Sequence, residues 1–254
     1  MKKRIIIYLF GIGALLSSCS KSFLDEAPLS IYTPDNSLQT PTQYQQATNN
    51  LYNGLRNIYM GNINLDTYFG LYYATDFAYN GTDYEPAAKL NAYKATMVPS
   101  YFIPQGIWTA YYKIITNANL IISQLSKPTQ LSDADKNSFL GQALFFRAYS
   151  YNILANLFGG VPIELNELAG PRYDYVRASR DSVYQQCKKD LQQAIGLLSD
   201  INQVPDGTVN KQIAQHILTK VLISLKDYVG AITSAGAVIN FPGVSLMTSR
   251  FGRR

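Results

Sequence analysis

The 254-residue chain has one histidine, two cysteines, one tryptophan and, past its first sixteen residues, no long apolar run. Each shortage removes a class of function. A lone His216 cannot build a His-x3-His metal pair, and no Ser-His-Asp arrangement has local support. His216 falls between Ala214 and Ile217 on a helical stripe, so a partly buried structural role is expected of it. Cys187 also lies on an apolar stripe and reads as a small core residue rather than a reactive thiol. No later segment approaches the ~20 apolar residues that a membrane-spanning helix requires. Basic charge is thin as well. Three of the 22 Lys and Arg residues lie at positions 2–4 and none of the 17 acidic residues does, which leaves 19 against 17 for the rest. Without a basic stripe interleaved with aromatics, nucleic acid is not an expected partner. The acid pairs Asp83/Glu85 and Glu164/Glu167 are the nearest approach to a glycosidase's two carboxylates, but such pairs are common in loops. No catalytic residue, cofactor or metal site is therefore assigned, although Asp76, Asp83 and Glu85 form a grouping that calcium could use.

What the chain does have begins with an address. Lys2-Lys3-Arg4 precedes a twelve-residue apolar core, Ile5 to Leu16, the pattern of a signal peptide over residues 1–18. Leu16-Ser17-Ser18-Cys19 has the shape of a lipobox, so Cys19 is the expected lipidation site. Ordinary secretion with an incidental Cys19 is the alternative. A lipid there anchors a chain to a membrane without spanning it. Residues 19–40 read as a tether.

From residue 41 to 240 helical periodicity dominates. Thr40-Pro41 opens a helix with proline at its first position, and its face runs Tyr44, Ala47, Leu51, Leu55, Ile58. Helix is expected again from Gln105 to Leu125, with Trp108 beginning an apolar stripe that places it in the core. Asn119 in that stripe must find a buried partner. Ser132 caps a long helix whose single apolar face carries Phe139, Ala143, Phe146, Tyr151, Leu154 and Leu157/Phe158, stopped by Gly159-Gly160-Val161-Pro162. A polar, exposed crossing with Arg172, Arg177 and Arg180 leads to a second amphipathic helix started by Ser179-Arg180-Asp181. After Pro205-Asp206-Gly207, Asn210 caps a helix that turns at Lys226-Asp227-Tyr228 into a last one. This hairpin has the small residues of a tetratricopeptide unit. The fold class is all-α, paired helices with long irregular loops. Ile232, Val238 and Ile239 on the last helix have nothing sequential to cover them, and residues 241–254 carry no pattern, so an aberrant or disordered tail on a truncated chain is expected.

Residues 62–104 break the rule: tyrosines and phenylalanines are dense among Asn, Asp and Gly, and helical period is weak. Phe77, Tyr79, Asn80, Asp83 and Tyr84 fall in a stretch too polar to bury whole. Rings beside amides and carboxylates suit a sugar, whose apolar face stacks while its hydroxyls hydrogen-bond. The segment admits two readings, a ligand-binding loop or a surface loop without a ligand.

Several strings taken together resemble the SusD/RagB family of outer-membrane lipoproteins. They are the lipobox with Phe23-Leu24-Asp25-Glu26-Ala27-Pro28, Trp108-x3-Tyr112-x2-Ile115-x2-Ala118-Asn119, Arg147-Ala-Tyr-x-Tyr151 leading to Phe158-Gly-Gly-Val-Pro162, and Arg177-x-Ser179-x2-Ser182-Val-Tyr184. Gly141-Gln142-Ala143 stands where a glutamate is usual, a change expected to loosen one helix contact. The resemblance covers the N-terminal half of family chains. It implies a non-enzymatic, lipid-anchored protein at the cell surface that captures an oligosaccharide, or a peptide in the RagB branch. It also implies a TonB-dependent outer-membrane transporter as partner, and places Phe77, Tyr79, Asn80, Asp83 and Tyr84 at the ligand. A helical scaffold that contacts only protein partners is the alternative.

Overall fold

A computed structural model describes residues 38–60, 75, 102–167, 170 and 172–246. Among them are six α-helices: α1 Pro41–Met60, α2 Phe102–Leu125, α3 Asp133–Phe158, α4 Arg180–Leu197, α5 Lys211–Ser224 and α6 Tyr228–Ile239. A 3-10 turn, Ile201–Gln203, lies between α4 and α5. Helix α2 begins at Phe102, three residues before the expected Gln105.

The ends of the helices are written in short polar side chains. Ser132 accepts from the Asp135 amide at 3.1 Å and donates its hydroxyl to the Asp135 carboxylate at 2.7 Å. Ser179 accepts from the Ser182 amide, Asn210 from that of Ile213 and Asp227 from that of Gly230. At α1, Thr40 accepts from the Gln43 amide while the Gln43 side chain accepts from the Thr40 amide, a reciprocal box. Each cap satisfies amides that the first helical turn leaves without partners. Ser132→Ala is expected to cost about 1 kcal/mol. Because α3 is central, the loss should appear as one uniform downward shift of the thermal transition rather than as fraying.

The helices stack in chain order, α2 on α3, α3 on α4, α4 on α5 and α5 on α6, while α1 lies against both α2 and α3. This corrects the expected single face of α3. Every residue from Gly141 to Ala148 is buried, with Gln142 and Arg147 among them, because neighbours close on α3 from several sides. Its two ends escape, with Asp133, Ala134, Asn137 and Ser138 exposed in the first turns and Leu157 in the last. The contact at Gly141 is tight rather than loosened: a Cβ there would stand 2.9 Å from Leu198 Cγ. Gln142 beside it accepts from the Tyr52 hydroxyl at 2.6 Å and donates to Ser138.

Cys187 is fully buried on α4, and burial pushes its thiol far above the ordinary range, the Asp190 charge adding to the effect. His216 is exposed rather than partly buried. The desolvation it does undergo, and then Lys220 one turn on, hold its pKa below the usual value. The far end of the stack is bare. Tyr228, Val229, Ile232 and Ile239 of α6 are all strongly exposed, as the sequence pattern foresees for the two isoleucines. No helix among the described residues is long and apolar enough to cross a membrane.

Candidate functional site

The segment after Gly160 is where sequence and structure differ most. The sequence reads the connection after Pro162 as a polar, exposed crossing, and residues 172–177 are exposed as expected. Its first part is not: Val161 at the helix stop is fully buried, and residues 162–165 are half-buried between α2 and α3. Side chains from these two helices hold the strap in place. Tyr112 donates its hydroxyl to the Pro162 carbonyl at 2.7 Å. The Tyr151 hydroxyl accepts from the Glu164 amide at 2.6 Å and donates to the Glu164 carbonyl at 2.9 Å. Asn119 donates to the carbonyls of Glu164 and Asn166, at 2.9 and 3.3 Å. Arg147 donates to the Leu165 carbonyl at 3.3 Å and to Asn119 Oδ1 at 3.0 Å. An extended strap without a sheet neighbour needs such partners, since a half-buried peptide group without one is costly.

Behind the strap lies a buried ion pair. Arg147 Nε and Nη2 each donate to one Asp190 carboxylate oxygen at 2.8 Å, and Gln186 donates to the same carboxylate. The pair links α3 to α4, and through Asn119 it fixes α2 as well. This is the structural partner that the sequence demanded for Asn119.

In front of the strap is a cleft of about 310 Å³, walled by Trp108, Tyr112, Thr116 and Asn119 of α2, by Pro162, Glu164 and Asn166 of the strap, and by Tyr175. Trp108, expected in the core, is half-buried. Its ring packs on Tyr112 at 4.9 Å and edge-on to Phe158 at 5.2 Å, and it still lines the cleft. Burial raises the Tyr112 hydroxyl well above its ordinary range, and the neighbouring Tyr151 and Glu164 raise it further. It therefore stays protonated and keeps its hold on Pro162. On the outer rim Arg172 donates to Glu164 Oε2 at 2.8 Å and to Asp174 at 2.6 Å, its guanidinium 5.3 Å from the Tyr175 ring centroid.

Asn119 is engaged through Nδ2 by the strap and through Oδ1 by Arg147, and the Tyr112 hydroxyl proton is given to Pro162, so neither side chain has a donor left for a ligand. The Thr116 hydroxyl, the Asn166 amide and Glu164 Oε1 take no described hydrogen-bond partner. Three rings and three available polar groups around a small concave space form a recognition surface for something with an apolar face and hydroxyl edges. No grouping of three or more His, Cys, Asp or Glu residues suited to a metal occurs among the described residues.

Phe77, Tyr79, Asn80, Asp83 and Tyr84, together with Cys19, lie outside the described residues. Sequence reasoning missed Thr116, Glu164, Asn166 and Tyr175 as cleft residues. One signal was available: positions 108, 112, 116 and 119 share a helix face that changes from ring to polar along its length. Tyr175 had none, because only the return of the connection brings it alongside.

The described residues thus form an all-α stack of paired helices with a ring-walled cleft beside an irregular strap. The family profile described as "Starch-binding associating with outer membrane", SusD-like, matches residues 22–223, and the chain belongs to this SusD-like family. Among curated relatives, SusD-like protein P25 of Formosa agariphila is 24% identical over 263 residues, covering 96% of this chain and 47% of the relative. Among solved structures, a laminarin binding SusD-like protein superposes with a TM-score of 0.70 at 21% identity, covering 82% of this chain and 45% of that one. Surface glycan-binding protein A from Bacteroides uniformis gives 0.68 at 23% identity, covering 82% and 48%. The chain spans about half the length of the relatives it matches.

Proposed function

We propose that this protein captures a glycan, with the Trp108–Tyr112–Tyr175 cleft as one point of grip, and does so without turning it over. The observation that carries this is the division of labour among the cleft's polar groups. Buried ones are consumed in holding the strap, while Thr116, Asn166 and Glu164 stay available beside exposed ring surface. The names of the laminarin-binding and surface glycan-binding neighbours support the same ligand class. In this reading Phe77, Tyr79, Asn80, Asp83 and Tyr84 supply a second set of rings and hydrogen-bonding groups. Lipid on Cys19 anchors the protein at the outer membrane, and a TonB-dependent transporter receives the ligand.

Calorimetric titration of the protein lacking residues 1–18 with laminarihexaose and maltohexaose tests the ligand class. Trp108→Ala should weaken binding by about tenfold or more, as expected for removal of a ring that anchors an interface. Tyr79→Ala and Tyr84→Ala should weaken it too if the loop takes part. Absence of any saccharide binding, or binding indifferent to Trp108, overturns the proposal. The bare apolar face of α6 favours one other reading, a scaffold that touches only protein. Co-purification of the transporter with no saccharide bound would support it.

A further inference from the structure

We propose that Glu164 makes the cleft selective by charge, admitting neutral or amino saccharides and turning away those with carboxylate or sulfate on the ring that enters. This rests on the glycan reading above and adds the ligand's charge class to it. Glu164 is the one charged residue among the described residues that wall the cleft. Its side chain is only 15% exposed, and its backbone is clamped on both sides by Tyr151 and Asn119, so the strap holds it at the wall.

The neighbouring cations do not neutralise the cleft. Arg172 bonds Oε2 from the outer side and shares its charge with Asp174, two carboxylates to one guanidinium. Asp174's carboxyl is held below the usual range mainly by its hydrogen bond from Arg172. Arg147 is matched by Asp190 behind the strap. Arg177 donates to the carbonyls of Phe158 and Gly160 and does not line the cleft. A carboxylate accepts and never donates. Glu164 Oε1 therefore calls for a hydroxyl or ammonium donor, to which its hydrogen bond is charge-assisted. A sulfate or carboxylate placed there offers only further acceptors, and its charge is repelled in a partly desolvated space where Coulomb terms are less screened than in bulk water.

The test uses matched pairs of laminarihexaose, maltohexaose and xylohexaose, each with its sulfated counterpart, titrated into the protein lacking residues 1–18. The neutral member of the bound pair should bind at least about tenfold more tightly. Glu164→Gln keeps the side chain's size and removes its charge, and should shrink that ratio to within about threefold. Asn166→Ala should weaken both members equally and leave the ratio unchanged. A sulfated sugar bound as tightly as the neutral one, or a ratio that Glu164→Gln does not move, overturns the inference and leaves glycan capture standing. Failure to bind any pair removes glycan capture itself, and charge selection with it.

Discussion

Asp190→Ala should lower the free energy of unfolding by about 3–5 kcal/mol, the cost of leaving a buried guanidinium without its counter-charge. Arg147 and Asp190 are 6% and 1% exposed, so water cannot replace the lost carboxylate. The remaining acceptors of Arg147, Asn119 Oδ1 and the Leu165 carbonyl, are neutral and lie at 3.0 and 3.3 Å. The double variant Arg147→Met with Asp190→Leu should recover much of the loss, because apolar packing replaces a desolvated pair at little net cost. The single and double variants also separate stability from position. In the double variant Asn119 loses the donor that fixes its amide, so the strap is held less firmly. Saccharide affinity should therefore fall even where stability recovers. Urea denaturation gives the first quantity and calorimetry the second. A loss below about 1 kcal/mol for Asp190→Ala would mean that the pair does not pin α3 to α4.

That network explains why part of the fold was legible in the sequence and part was not. Caps are local: Ser132, Ser179, Asn210 and Asp227 each act on an amide three residues away. Ser132 and Asn210 cap where the sequence put them and Ser179 opens α4 as read, while Asp227, read only as part of a turn, caps α6 as well. The apolar stripes that position helices are nearly as local. Burial of α3 on several sides was not legible, because its polar residues Gln142 and Arg147 lie inside on partners from α1 and α4, distant in the chain. The strap is the extreme case. Nothing within residues 161–167 specifies its shape; Tyr112, Asn119, Arg147 and Tyr151 do. The resemblance of the Trp108-to-Asn119 and Arg147-to-Tyr151 strings to a known family thus has a physical content. They are the residues that build the strap, and with it one wall of the cleft. Trp108 packs against the core as its stripe implies, yet it is only half-buried, for a related reason. Its position on an apolar stripe is real, but the stripe runs off the edge of the core where the strap begins.

Gly160→Ala is the other substitution expected to be costly, and its cause is purely steric. Gly160 does not need a left-handed backbone; the positive-φ glycines among the described residues are Gly159, Gly207 and Gly243. A Cβ at 160 would collide with the Ala178 carbonyl oxygen and stand 3.3 Å from the Arg180 amide nitrogen. These are backbone atoms and cannot rotate away. Ala178 donates to the Val161 carbonyl at 3.1 Å, and Ser179 beside it caps α4. To admit the methyl group, the start of the strap must separate from the start of α4. That gives up the Ala178–Val161 hydrogen bond and strains the Arg177 contacts to Phe158 and Gly160. Overpacking of this kind plus one lost hydrogen bond amounts to roughly 3 kcal/mol. Gly196 makes the control. It lies within α4 with nothing within 4 Å of the position a methyl group would take, so alanine there should raise stability by roughly 0.5–1 kcal/mol. If thermal melting shows both variants moving upward together, the junction of strap and α4 is loose. If Gly160→Ala alone falls and loses saccharide affinity with it, the close approach at Gly160 is what sets the cleft's wall.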